Sequence, residues 1–226
     1  MTALPPPPEA WADLPFFAEA WPGIAAALAA APEPWQPAPE HLFRALALTP
    51  PEAVRVVVLG QDPYPTPGRA TGLAFGFPPG ERPRDSLANI LGELAADTGI
   101  RRADGDLTGW ARQGVLLLNT VLSVPVGRAH GHRALGWQRL AAEVLERVAR
   151  RPAVFLLWGG PARDLAAPIL ARHPGVPRLV LTSSHPSPLS ASRPLGSHPA
   201  FRGSRPFGRI DAWLEAQGLG PVDWSV

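Results

Sequence analysis

Two residue types are missing from this chain of 226 residues: it has no cysteine and no lysine, all 21 basic residues being arginine. Without thiols there is no disulfide framework, no thiolate nucleophile and no thiolate metal site. Without lysine no side-chain amine is available for Schiff-base chemistry, so the α-amino group of Met1 is the remaining candidate. Long apolar runs are missing too. No stretch approaches the roughly 18 residues that cross a bilayer, and the opening MTALPPPPEA lacks the charged-then-apolar layout of a secretory signal. A cytoplasmic location is the expectation.

Hydrophobic residues make up 46% of the chain and are spread along it, as a folded core requires. The 30 prolines and 22 glycines stay below the roughly 25–30% typical of low-complexity chains and mark many loops. Formal net charge is only +2, although the isoelectric point is near 10.2. With no lysine or cysteine and one tyrosine, almost nothing titrates between neutrality and arginine, so a small excess of cations raises the isoelectric point far. Charge distribution says more. Residues 1–53 hold six acids against one arginine, and residues 54–226 hold thirteen acids against twenty arginines. Between Asp164 and Asp211 there are no acids, but six arginines and three histidines, a bias suited to a polyanion-facing surface or simply to an Arg/Ala/Pro-rich composition.

Residues 1–34 read as a Pro/Ala-rich helical lead-in to a domain over 35–226, with helices expected at 16–31 and 40–48 around the prolines of 32–39. Four short apolar runs follow at 54–59, 115–118, 154–157 and 178–181, bounded by turn residues and too short for buried helices. Helical stretches fall at 86–97, 135–150, 161–172 and 206–217. Strands alternating with helices predict an α/β domain in which a central four-stranded parallel sheet carries helices on both sides.

Each expected strand runs into polar residues: Gly60-Gln61-Asp62-Pro63-Tyr64-Pro65, Asn119-Thr120, Trp158-Gly159-Gly160, and the segment from Ser183 to Ser190. Ligands of open parallel sheets bind at the carboxyl ends of the strands, so these segments should meet in one crevice. Asp62 lies between Gln61 and a stiffening proline, and reads either as a held carboxylate for orienting water and stabilising a cation or as a turn residue. His185 begins a loop fixed by Pro186 and Pro188, and is either reactive or a hydroxyl-capped loop histidine. Asn119 closes a run of leucines, where its amide faces a ligand or ends a strand. No G-x-G-x-x-G, Walker A lysine, paired-histidine metal motif or G-x-S-x-G elbow is present, so chemistry without cofactor or metal is expected.

The segments GQDPYP (60–65), GLAF (72–75), WARQGVLLLNTVLSV (110–124), FLLWGG (155–160) and HPSPLSASR (185–193) resemble the signatures of the uracil-N-glycosylase family of uracil-DNA glycosylases. The resemblance extends from about Trp35 to Trp224, through LGW at 135–137 and GSRPF at 203–207. It implies release of uracil from single- or double-stranded DNA by hydrolysis of the N-glycosidic bond, leaving an abasic site that initiates base excision repair. By the same resemblance Asp62 and His185 are catalytic, and Gln61, Tyr64, Phe75 and Asn119 bind the base. Ser86, Gly159, Gly160, Ser187 and Ser190 touch the DNA backbone, and Leu189 wedges the duplex. Taken singly, each serine is as well read as a cap, Phe75 as core and Leu189 as a surface leucine. The resemblance also implies a monomer and sensitivity to protein inhibitors that mimic DNA. Rival readings are a glycosylase for another damaged base and a non-catalytic DNA-binding module.

This chain departs from the family pattern at Pro65 and Thr71, where many members carry histidine, and in Pro83-Arg84-Asp85-Ser86 and Gly159-Gly160-Pro161. Residues 194–201 look like an insertion, expected to form a longer loop beside the wedge.

Overall fold

The computed structural model describes residues 4–226. Met1, with the amine noted above and the start of the lead-in, lies outside the described residues. The chain passes through α1 (Pro15–Glu19), α2 (Trp21–Ala29), β1 (Trp35–Gln36), α3 (Arg44–Leu48), β2 (Val56–Gly60), α4 (Asp85–Thr98) and α5 (Thr108–Arg112). It continues through β3 (Val115–Asn119), β4 (Val124–Pro125), α6 (Gln138–Val148), β5 (Ala153–Trp158), α7 (Gly160–Ala171), β6 (Arg178–Ser183) and α8 (Pro206–Ala216). Among the described residues no helix is long and apolar enough to cross a membrane.

The four apolar runs form the expected parallel sheet, in the order β3-β2-β5-β6 with helices flanking it. The central strands β2 and β5 are buried along their whole length, which is why they are unbroken apolar runs. β6, at an edge, is only partly buried. The chain leaves β2 toward β3 on one side and, later, β5 toward β6 on the other. The crevice between the carboxyl ends of β2 and β5 is therefore the topological switch point.

The helices follow from their apolar spacing. In α4, Leu87, Ile90, Leu91 and Leu94 recur on one face and are buried, and Gly99 ends the helix at φ +80°, a left-handed conformation suited to glycine. The single helix expected at 16–31 is two, because Pro22 cannot continue a helix through its own nitrogen and instead sits in the first turn of α2. The helix expected at 40–48 is shortened to Arg44–Leu48 behind a 3₁₀ turn at Pro39–His41. β1 and β4, two residues each, pair antiparallel, a feature too short for any sequence period to reveal.

Residues of the lead-in pack into the main core. Phe16, Trp21 and Phe43 surround Trp137 at centroid distances of 5.7–6.1 Å, and buried Trp11 donates its indole N–H to the carbonyls of Leu46 and Thr49. At the surface Arg139 pairs with Glu19 and Arg147 with Asp13.

Candidate active site

A cavity of about 150 Å³ opens at the switch point, lined by Gln61, Asp62, Tyr64, Phe75, Ser86, Asn119 and His185, with Pro65 and Thr71 in its wall. Sites for drug-sized ligands run to about 300–1,000 Å³, so this is space on the scale of a single heterocyclic ring.

The register of the sheet sets one wall. Gly60 ends β2 directly opposite Asn119 at the end of β3. A side chain at residue 60 would overlap the Asn119 carboxamide oxygen and come within 2.9 Å of Ala74 Cβ, so glycine is required for the amide to occupy this place. Beyond the strands, the amides of Thr120 and Val121 donate to the carbonyls of Gly60 and Gln61, locking the two exits together.

Asp62 follows immediately, its side chain only 10% exposed. One carboxylate oxygen accepts the backbone N–H of His130 at 2.6 Å, and the other lies 3.4 Å from Nδ1 of the same residue. His130 holds a left-handed backbone at φ +61°. Its loop is anchored behind it by His132, whose Nδ1 is 2.9 Å from Ser123 Oγ, which in turn accepts the Trp137 indole N–H. Burial and nearby Arg128 hold the His132 pKa below its usual value. The Pro65 carbonyl accepts the Gly127 N–H, closing the same loop over Asp62.

Phe75 forms another wall at φ +65°, an unfavourable backbone for a bulky side chain and a mark of over-determined surroundings. Its ring meets Trp158 edge-on at 5.6 Å and lies 5.8 Å from His185. Its carbonyl accepts the Tyr64 hydroxyl, and Tyr64 packs edge-on against Phe77 at 5.0 Å. Burial pushes the Tyr64 phenol well above its ordinary pKa, so it remains a neutral wall.

His185 closes the cavity from the loop after β6. Its Nδ1 accepts the Ser187 backbone N–H at 3.1 Å, which leaves the proton on Nε2. Burial lowers its pKa to about 4, so the ring is a neutral donor at physiological pH. The loop is braced internally: Ser190 Oγ donates to the His185 carbonyl, Ser187 and Ser190 hydroxyls are 2.7 Å apart, and Ser184 Oγ donates to the Ser190 carbonyl. Leu189 stands at its tip, 85% exposed. Gly159, at φ +96°, packs beside His185, where a side chain would crowd the histidine Cβ at 3.2 Å. Gly160 is one residue further, opening α7.

The structure thus gathers Gln61, Asp62, Tyr64, Phe75, Ser86, Asn119 and His185 around one cavity and sets Gly159, Ser187, Leu189 and Ser190 around His185 or its loop. Gly160 lies at the edge of this set. Sequence reasoning missed His130, which no local pattern beyond the histidine-rich HGH at 130–132 singles out.

A family profile described as "Uracil DNA glycosylase superfamily" matches residues 46–209. The chain belongs to this superfamily. It is 50% identical to a uracil-DNA glycosylase of Ruegeria sp. (strain TM1040) over 225 residues, 99% of this chain and 92% of the relative. Against a uracil-DNA glycosylase of Enterococcus faecalis the identity is 48% over 190 residues, covering 82% and 79%. The crystal structure of mimivirus uracil-DNA glycosylase superposes with a TM-score of 0.83 at 26% identity, covering 95% of this chain and 86% of that one. A mimivirus UNG variant solved in complex with UGI superposes equally well at 27% identity, covering 96% and 88%. The superfamily is one of glycosylases, and the match spans all four strands and both loops that carry Asp62 and His185.

Proposed function

We propose that the protein removes uracil from DNA by hydrolysing the bond between the base N1 and the sugar C1′, leaving an abasic site with the strand intact. The observation that carries this reading is the single cavity, of ring size, in which a carboxylate, a carboxamide and a neutral imidazole converge.

A stacked base is unreachable inside a duplex, so the nucleotide is extruded into the cavity and Leu189, exposed on a braced loop, fills the gap. The base stacks on Phe75. Asn119 accepts from uracil N3–H and donates to O4; cytosine reverses that pattern and leaves buried groups unpaired. Tyr64 occupies the position of thymine's 5-methyl group.

As the glycosidic bond breaks, its electron pair goes to the base and positive charge develops on the sugar. His185 Nε2–H donates to the charge growing on uracil O2. Asp62, one oxygen of which accepts the His130 N–H, stabilises the cation and orients the water that adds to C1′, and the proton that this water loses neutralises the uracil anion. Ser86, Gly159, Gly160, Ser187 and Ser190 contact the DNA backbone. The lack of any lysine favours glycosidic hydrolysis alone over additional strand cutting. A UNG relative forms a complex with UGI, and we infer that a DNA-mimicking inhibitor would cover the same cleft here.

The test is incubation without added metal, using single- and double-stranded oligonucleotides that carry uracil, thymine, hypoxanthine or a mismatch. Release of uracil alone from both forms supports the reading. Release of another base redirects it to a different lesion, and binding without release overturns it.

A further inference from the structure

We propose that Asn89 is a positioning residue that transmits the placement of α4 and of Arg202 to the His185 loop. This rests on the reading of His185 as the group that faces the departing base.

Asn89 lies on α4 one turn beyond Ser86, a cavity residue, and its amide is used at both ends. Nδ2 donates to the Pro186 carbonyl at 2.7 Å, and Oδ1 accepts from the Arg202 guanidinium at 2.7 Å. Pro186 has no N–H to tie its side of the loop, so its carbonyl is the grip on the Pro186–Ser187 peptide, whose N–H donates to His185 Nδ1. The grip is held in turn, because Arg202 fixes which end of the amide faces Pro186. One turn further along the same face, buried Glu93 accepts the backbone N–H groups of Gly203 and Arg205 with its two oxygens. This second contact secures the segment carrying Arg202 to α4, with Arg205 held at φ +46°. The Asn89 link is thus a rigid strut between the cavity wall and the reactive histidine, supplied by a side chain that does not itself line the cavity.

Asn89→Asp separates the two functions of the amide. The carboxylate still accepts from Arg202 but repels the Pro186 carbonyl instead of donating to it. The expected result is single-turnover uracil excision slowed about 10-fold, short of the ~10²-fold that a full 1 Å misplacement of a reacting group costs, with melting temperature and affinity for uracil-free DNA near wild type. Arg202→Leu, which leaves the Nδ2 contact possible, should slow excision less. Should Asn89→Asp fail to fold, Asn89→Ser, too short to reach Pro186, takes its place with the same expectation. Wild-type excision by the variant, or a loss of rate matched by an equal loss of melting temperature and DNA affinity, would overturn the proposal. If wild-type protein releases no uracil, the glycosylase reading fails rather than the strut.

Discussion

His185 is neutral because it is buried, and its tautomer follows from the Ser187 amide beneath it. Its folded pKa, about 4, lies below the ordinary value of 6.5. The unfolded chain therefore binds the extra proton first as pH falls, so the stability due to burying this ring is complete above about 6.5 and is lost on the way down to about 4. A histidine titration followed by NMR should show one imidazole with a midpoint near 4; a midpoint near 6.5 for His185 would contradict the geometry. His185→Ala and Asp62→Asn should each slow excision ~10²-fold or more, the usual scale for groups that stabilise developing charge. Single-turnover rates near wild type would remove them from the chemistry. Gly60 makes a sharper case, being a residue with no chemistry of its own. Gly60→Ala must displace the Asn119 amide, so excision should collapse while the sheet still forms, read as lost uracil release with an unchanged far-ultraviolet circular dichroism spectrum.

Among the elements, the segment 194–201 changes meaning once seen in place. In its Leu195–His198 turn only Gly196 and Ser197 at the tip are exposed, and Phe201 at the segment's end is fully buried and meets Trp158 edge-on at 5.2 Å. The Phe201 N–H donates to Ser184 Oγ, and the Pro199 carbonyl accepts the Ser184 N–H. The segment thus forms the backing of the β6 exit from which His185 projects. Phe201→Ala should cost about 3–5 kcal/mol, as buried aromatic truncations do, seen as a lower midpoint in urea at unchanged slope. A surface-loop role alone would leave the midpoint in place. The lead-in behaves similarly: α1 begins where Glu143 of α6 accepts the Phe16 N–H at 2.8 Å, joining the two helices directly.

At the scale of the molecule, the uneven charge of the two parts of the chain is partly cancelled in space. Of the six acids in residues 1–53, Asp13, Glu19 and Glu33 pair with Arg147, Arg139 and Arg128. Within the acid-free stretch Arg172 pairs with Glu146, and Arg178 is spent on backbone carbonyls. Among the described residues Arg193, Arg202, Arg205 and Arg209 make no ion pair, Arg202 being bonded to the neutral Asn89 amide, so the excess charge left for a polyanion is local to this stretch. Binding to uracil-free DNA should be moderate and salt-sensitive, with a slope set by the few phosphates these arginines reach. If Arg193 contacts a phosphate, Arg193→Gln should reduce the slope of log K against log salt by about 1; an unchanged slope would place it outside the DNA path.

Short apolar runs between amphipathic stretches were enough to specify the parallel sheet, since burial on both faces of β2 and β5 leaves no other use for such runs, while the partly buried edge strand β6 carries a weaker signal that begins at Arg178. GQDPYP, LLLN and HPSPLS at the strand ends were enough to nominate Asp62, Asn119 and His185, because strand ends of an open sheet meet at one edge, whereas Phe75 and Ser86 were nominated only by the family resemblance. The helix break at Pro22 was also visible as a proline, though its effect depended on where the turn began. What only the tertiary structure decided are the contacts that hold those groups: His130 on Asp62 across 68 residues, Asn89 on Pro186 across 97 and Arg202 on Asn89 across 113. Hydrophobic periodicity records which face of an element is buried. A hydrogen bond between distant polar residues leaves no such period, and exists only after the sheet order has brought its donor and acceptor within 3 Å.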